Sequence, residues 1–189
     1  MPIRQTMYLV YNKQPLIETV DKIYEAAPEV EKAATSEVSD PFAERASRVS
    51  WITPENKLNE TILESIWPII HHANENSDWK FEISWLESMQ FTKYHVGEKY
   101  DWHTDTIVSE KYDEDVRKLS FSVLLNDDFE GGEFQLEVAS PSTPERFRTV
   151  PMQKGDIIVF PSYIWHRVTP VTKGERHSLV GWIHGPNWR

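Results

Sequence analysis

Cysteine is absent from all 189 residues. That excludes a disulfide, a thiolate nucleophile, a zinc finger and an iron–sulfur cluster, so any metal must be held by His, Asp or Glu. No apolar run approaches the roughly 20 residues that a membrane span needs, and the N-terminal MPIRQTMYLVYNKQPLIETV carries no signal-type pattern. The expectation is a soluble, cytoplasmic protein with no membrane partner. Basic residues are the minority: 20 Lys and Arg face 30 Asp and Glu, a formal charge of -10 that disfavours nucleic acid and anionic lipid as partners. The shortage is uneven, because residues 144–189 hold seven Lys/Arg against three acids, and a locally positive end suits an anionic small molecule. Aromatics, by contrast, are plentiful. Eight Trp, seven Tyr and eight Phe argue for a folded globule, since disordered chains have few.

The length fits one domain over 1–189, with helical support about 1–78 and a β core about 79–185. Leu16, Ile17, Val20, Ile23 and Tyr24 recur at helical spacing behind Pro15, and Leu58, Ile62, Ile66, Ile69 and Ile70 give a second helix its apolar face, with Pro68 as a point of kinking. Residues 29–48, charged and rich in small side chains, are expected to form a loop with at most a helical turn. From Trp79 the pattern changes to short runs such as QFTKYHV, LSFSVLLN, DIIVFP and RHSLVGWI, divided by turn signals such as Glu130-Gly131-Gly132 and Lys154-Gly155-Asp156. Many short strands at close spacing predict a mainly β fold with N-terminal helices: a sandwich, jelly roll or small barrel buttressed by helices.

Chemistry concentrates at Asp101-Trp102-His103-Thr104-Asp105. Side chains two apart on a strand share a face, so His103 and Asp105 can converge on one ion. An H-x-D tripeptide is common by chance, and an ordinary polar strand face explains it equally well. Two further pieces lie downstream: His166 opening a β-branched strand, and Arg176 in a strand expected to lie beside that of His166. An arginine set between apolar strand residues is costly unless it meets an anion. Two imidazoles and a carboxylate form the facial set of non-haem Fe(II) oxygenases, with open positions for a co-substrate and O2.

With these pieces in order, Tyr94-His-Val-Gly97-Glu-Lys-Tyr100-Asp-Trp-His103-Thr-Asp105, Glu130-Gly131-Gly132-Glu133-Phe134, Lys154-Gly155-Asp156 and His166 through Arg176-His-Ser178 resemble the 2-oxoglutarate/Fe(II) dioxygenases of the prolyl 4-hydroxylase-like superfamily, above all its PKHD-type hydroxylases. The resemblance covers about residues 79–185. It implies a double-stranded β-helix, Fe(II) on His103, Asp105 and His166, and the distal carboxylate of 2-oxoglutarate on Arg176, with Tyr94 and Ser178 beside it. It also implies hydroxylation of an unactivated C–H bond, a prolyl residue of a protein or peptide among the candidates and a small molecule the alternative, with release of succinate and CO2 and with ascorbate as an optional reductant. Collagen-type members carry lysine where this chain has Arg176. A nucleic-acid demethylase of the AlkB type would carry a second arginine beyond the clamp; the position six past Arg176 is Trp182, which weakens that reading. Two rivals stay open: a cupin-type metalloenzyme that does not use 2-oxoglutarate, which leaves Arg176 without a task, and a non-catalytic β-sandwich binding module.

The remaining histidines are expected to lie off the site: His71 and His72 toward solvent, His95 and His177 on the face opposite their functional neighbours, His184 undecided. Trp102, Trp165 and Trp182 are expected in the core. Residues 106–118, with no apolar period, are expected to form a lid over the pocket.

Overall fold

The structure, a computed structural model, describes residues 6–12, 16, 18–24, the backbone of 35–40, 45–106, 115–139 and 142–188. Two helices and fourteen strands are found there. Helix α1 covers 18–24, and α2 spans Lys57–Asn76. In chain order the strands are β1 (Leu9–Tyr11), β2 (Thr35–Asp40), β3 (Arg45–Ile52), β4 (Trp85–Leu86), β5 (Met89–Tyr94), β6 (Lys99–His103), β7 (Val116–Leu124), β8 (Glu130–Gly131), β9 (Phe134–Glu137), β10 (Phe147–Val150), β11 (Ile157–Pro161), β12 (His166–Val168), β13 (Val171–Lys173) and β14 (Arg176–Gly185).

Helix α2 starts where Asn56 caps it: the Asn56 side chain accepts a hydrogen bond from the Leu58 amide at 2.9 Å, and Glu60 adds negative charge in the first turn. Leu58, Ile62, Ile66, Ile69, Ile70 and Ala73 fall on one buried stripe. The helix runs on through the exposed Pro68. Each fully buried isoleucine contributes about 1.5–3 kcal/mol, so this stripe, and not helix propensity, holds α2 in place.

The stripe packs on one face of a large antiparallel sheet. Strands follow the order β1-β11-β7-β14-β5-β3-β6-β12-β9-β10, with β2 beside β3, β4 beside β14, and a separate β13-β8 ribbon. Alternation along the strands divides the interior into two cores. Met89, Phe91, Phe121, Val123, Leu179 and Ile183 face the helices together with Leu16, Val20 and Ile23. Tyr94, Phe134, Leu136, Ile158, Phe160 and Val168 fill a second core on the other side. Strand β3 closes the roll: Arg48–Ile52 pair with β5, whereas Arg45 and Ala46 pair with β6. One strand thus carries the sheet around from its helix-backed half to its open half, and the mainly β jelly roll expected from the strand spacing is what forms.

Three local expectations are corrected. The stretch read as a loop over 29–48 contains the β2–β3 hairpin in its described part, with Thr35 opposite Ser50 and Asp40 opposite Arg45. Its apolar signal is weak because the inward face of β3 begins with Arg45 and Ser47, so alternation does not show as hydrophobicity. The N-terminal third is therefore mixed, not purely helical. The strand of Arg176 does not lie beside that of His166 either: β14 pairs with β5 and β7, and β12 pairs with β6 and β9. The chain crosses through β13 from one half of the roll to the other between them. Trp165, expected in the core, is 48% exposed, whereas Trp182 is buried. No helix among the described residues is long and apolar enough to cross a membrane.

Candidate metal centre and anion pocket

Strands β6 and β12 are antiparallel neighbours, and His103 stands directly opposite His166 in their register. Asp105 lies just past the end of β6. Its amide donates to the Ser162 carbonyl at 2.9 Å, and the Thr106 amide donates to the same oxygen at 3.1 Å, which turns the Asp105 side chain back toward the two histidines. One ligand atom from each of His103, Asp105 and His166 lies within 4.8 Å of the others.

The tautomers follow from backbone acceptors. His103 Nδ1–H donates to the Asp101 carbonyl at 2.7 Å, and His166 Nδ1–H donates to the Ile164 carbonyl at 2.9 Å. A carbonyl can only accept, so Nδ1 carries a proton in each ring, and in the neutral ring Nε2 keeps its lone pair. Those lone pairs face the carboxylate: His166 Nε2 is 3.4 Å from Asp105 Oδ2, and His103 Nε2 is 3.8 Å from Oδ1. Asp105 Oδ2 is buried without a hydrogen-bond partner. With both imidazoles neutral, three sets of electron pairs converge on one space and repel; a divalent cation at their centre makes the arrangement favourable, and two imidazoles with one carboxylate are borderline donors that suit Fe(II). Burial, then the adjacent His166, hold the His103 imidazole well below its ordinary pKa. Burial opposes ionisation of Asp105, but the His166 and His103 imidazoles outweigh it and keep the carboxyl below the usual range. Metal binding requires neutral imidazoles and an ionised carboxylate.

Packing fixes both rings. Tyr100 stacks on His103, and Phe160 meets His166 edge-on with centroids 4.7 Å apart. The three ligand residues open onto a cavity of about 210 Å³, which Tyr94, Thr92, Ser122, Arg176, Ser178 and Trp182 also line. Arg176 is only 2% exposed. Its Nη1 donates to Ser178 Oγ at 3.1 Å, its guanidinium lies 5.7 Å from the centre of the Tyr94 ring, and its Nε is buried with no partner. Arg176 sits opposite Tyr94 in the β14–β5 register. No carboxylate among the described residues pairs with it, and burial alone pulls its pKa down. An unpaired buried guanidinium costs several kcal/mol, so the cavity contains a strong unmet demand for an anion. Gly132 makes room for it: a Cβ there would stand 2.8 Å from Arg176 Cδ, and its φ of +58° is left-handed backbone.

The structure thus brings His103, Asp105, His166, Arg176, Tyr94 and Ser178 around one cavity. His95, His177 and His184 do not line it; His177 instead meets the Tyr24 hydroxyl, and His184 stacks on Trp85. His72 is exposed and meets the Tyr11 hydroxyl, and His71 is half-buried against Trp67. Most of the segment expected as a lid over 106–118, residues 107–114, lies outside the described residues, and its last three, Val116, Arg117 and Lys118, belong to strand β7 and not to a lid. Among the pocket residues given no role from the sequence are Tyr100 and Arg45. Tyr100 stood within the quoted motif, whereas Arg45 lay in a stretch without a strand signal.

A family model described as the 2OG-Fe(II) oxygenase superfamily matches residues 89–184, which include every residue of this constellation. The chain belongs to that superfamily. It is 38% identical over 103 residues to a PKHD-type hydroxylase of Idiomarina loihiensis, a match covering 51% of this chain and 44% of that protein. A PKHD-type hydroxylase of Synechococcus elongatus is 27% identical over 180 residues, covering 89% of this chain and 78% of the relative. The chain spans less than half the length of several curated relatives that it matches. Among solved structures, a Pseudomonas putida prolyl-4-hydroxylase superposes with a TM-score of 0.74 at 18% identity, over 95% of this chain and 93% of that one, which shows a shared fold.

Proposed function

We propose that this oxygenase-family chain is a 2-oxoglutarate- and Fe(II)-dependent dioxygenase that hydroxylates an unactivated C–H bond. In this reading His103, Asp105 and His166 hold Fe(II), and Arg176, flanked by Ser178 and Tyr94, receives the distal carboxylate of 2-oxoglutarate. The observation that carries it is the pairing of two unmet demands in one cavity: a lone-pair cluster wanting a cation, and a buried guanidinium wanting an anion. A cupin without 2-oxoglutarate leaves the second demand unanswered, and a binding module has no need of the first.

With metal and co-substrate bound, the chemistry supplied is oxidative: 2-oxoglutarate loses CO2 to become succinate, and one oxygen atom of O2 goes to succinate and the other to the substrate. The protein's part is positional. The Asp101 and Ile164 carbonyls hold both imidazole tautomers, with each Nε2 aimed inward. Phe134, Phe160 and Val168 give the cavity an apolar wall. Arg176, buried and charged, fixes one end of an anion through geometry that lysine cannot reproduce.

We assign a prolyl residue of a protein or peptide as the substrate class, supported by the fold shared with the prolyl-4-hydroxylase of Pseudomonas putida and with a peptide-bound prolyl hydroxylase of Trichoplax adhaerens, and residues 1–189 as one catalytic domain, supported by β3 of the N-terminal third pairing with both β5 and β6. The test is succinate formation from 2-oxoglutarate with Fe(II) and O2, with and without proline-containing peptides. Succinate that depends on Fe(II) and rises with a peptide supports the reading; no 2-oxoglutarate consumption with iron bound overturns it.

A further inference from the structure

Besides Arg176, two arginines reach the cavity, and they differ in one respect. Arg117 is neutralised: its Nε and Nη2 donate to the two Glu87 carboxylate oxygens at 2.8 and 2.7 Å. Arg45 has no acid. Its Nε donates to Ser47 Oγ at 3.0 Å, its Nη2 donates to Gln90 Oε1 at 3.2 Å, and its Cζ lies 4.6 Å from the centre of the Tyr100 ring. In a protein with 30 acids and 20 bases, carboxylates are the easiest partners to find. Here the guanidinium is held by neutral groups, against an aromatic face, beside a cavity whose one lining acid among the described residues is Asp105.

Charge accounting gives this a direction. A divalent ion on Asp105, with a 2-oxoglutarate dianion bound to that ion and to Arg176, leaves those groups neutral in sum. Arg117 is cancelled by Glu87, so the charge left over in the cavity is that of Arg45. Its position also fits: Arg45 touches Tyr100, and Tyr100 touches His103, so a group held by Arg45 lies one ring away from a metal-ligating histidine. Two neutral hydrogen bonds and a ring orient the fork without consuming its charge, which is how a guanidinium is pre-organised for bidentate capture of a carboxylate.

We propose that Arg45 is a specificity-determining residue that binds a carboxylate of the substrate undergoing oxidation, so that preferred substrates carry an acid close to the oxidised carbon. This rests on the dioxygenase reading above and narrows its substrate class. The acid is either a terminal carboxylate or an acidic side chain next to the target residue, and both offer Arg45 the same two oxygens.

The experiment uses the full chain loaded with Zn(II), which is redox-inert, and follows arginine Nε–H resonances by NMR. Adding 2-oxoglutarate shifts the Arg176 signal if the dioxygenase reading is right; absence of that shift counts against that reading, not against Arg45. The probes are then N-acetyl-L-proline, acetyl-Asp-Pro-amide and N-acetyl-L-prolinamide. Saturable shifts of the Arg45 signal are expected with one or both acids, with affinity roughly tenfold or more above the amide, and which acid binds tells terminal from side-chain carboxylate. In Arg45→Gln the preference for acid over amide disappears while the Arg176 response to 2-oxoglutarate persists, which also shows that the variant is folded. Arg45→Lys retains part of the preference. Equal binding of acid and amide, a preference that survives Arg45→Gln, or no saturable binding by either acid overturns the proposal.

Discussion

The phenol ring of Tyr100 lies face to face with the imidazole of His103, the centroids 3.5 Å apart and the planes 12° from parallel. His103 is anchored at Nδ1 by the Asp101 carbonyl, so stacking fixes the one rotation that this hydrogen bond leaves free. Tyr100→Ala is expected to weaken metal affinity roughly 10- to 100-fold, the usual effect of removing support from a ligating histidine, whereas Tyr100→Phe keeps the ring and stays near wild type. Metal titration of both variants checks this; equal loss in both would place the effect in the hydroxyl.

Asp105 predicts a stability difference that depends on the metal. Its carboxyl is held below the usual range by the two imidazoles, so Asp105→Asn should leave the metal-free protein less stable than wild type near neutral pH. Adding Mn(II) or Zn(II) at about 100 times Kd should stabilise wild type by about 2.7 kcal/mol and leave Asp105→Asn nearly unmoved. Thermal unfolding with and without chelator measures both.

Arg176 sets stability against function. Replacing an uncompensated buried charge with an apolar side chain of similar length removes a desolvation cost, so Arg176→Met is expected to raise Tm in the absence of ligand. The same change should weaken 2-oxoglutarate binding by roughly 10- to 100-fold, the worth of a hydrogen-bonded charge pair. A lower Tm together with unchanged 2-oxoglutarate affinity would remove Arg176 from the site.

Gly132 should behave as part of the same pocket. Gly132→Ala puts a Cβ against Arg176 Cδ and forces φ +58° on a residue that resists it, a cost of about 1–3 kcal/mol. Both the Tm and the 2-oxoglutarate KM should shift, while affinity for the metal alone stays close to wild type.

Glu87 carries a pH signature. Burial opposes its ionisation, but the Arg117 and His184 hydrogen bonds prevail and hold its carboxyl below the ordinary 4.5. A lowered folded pKa means that the stabilisation is full above the unfolded value and is lost as pH falls through the folded one. Glu87→Gln should therefore cost up to about 1 kcal/mol near neutrality, the scale of a partly exposed pair, and the gap to wild type should close on acidification. Denaturant unfolding across pH 3–7 follows it, with that range set by the roughly 4.3 of an unperturbed glutamate.

The local sequence was enough for several features. Helical spacing located the apolar stripe of α2, and the short runs after Met89 marked most of the strands that form. His103 and Asp105 stood out because residues two apart share a strand face, His166 because it opens a β-branched strand, and Arg176 because it is an expensive residue type between apolar strand residues. The β2–β3 hairpin did not stand out, because a strand whose inward face begins with Arg45 and Ser47 hides its alternation. Nor was the place of β14 legible: adjacency in sequence suggested pairing with β12, whereas the chain crosses the roll between them.

What the sequence by itself determined is therefore the inventory and the facing: which side chains can bind a cation or an anion, and which share one side of a strand. Those are short-range properties, set by the alternation of Cβ directions from one residue to the next. Which strands become neighbours was decided by tertiary structure alone, since partners such as Arg45 and Tyr100, or His103 and His166, are tens of residues apart and no local period encodes their meeting. The same closure of β3 onto both β5 and β6 places Arg45 beside the cavity, and the crossing of β13 brings Arg176 back to face it. Burial then does what no isolated segment can: it strips water from Asp105 and Arg176, leaving one demand for a cation and one for an anion within a single cavity.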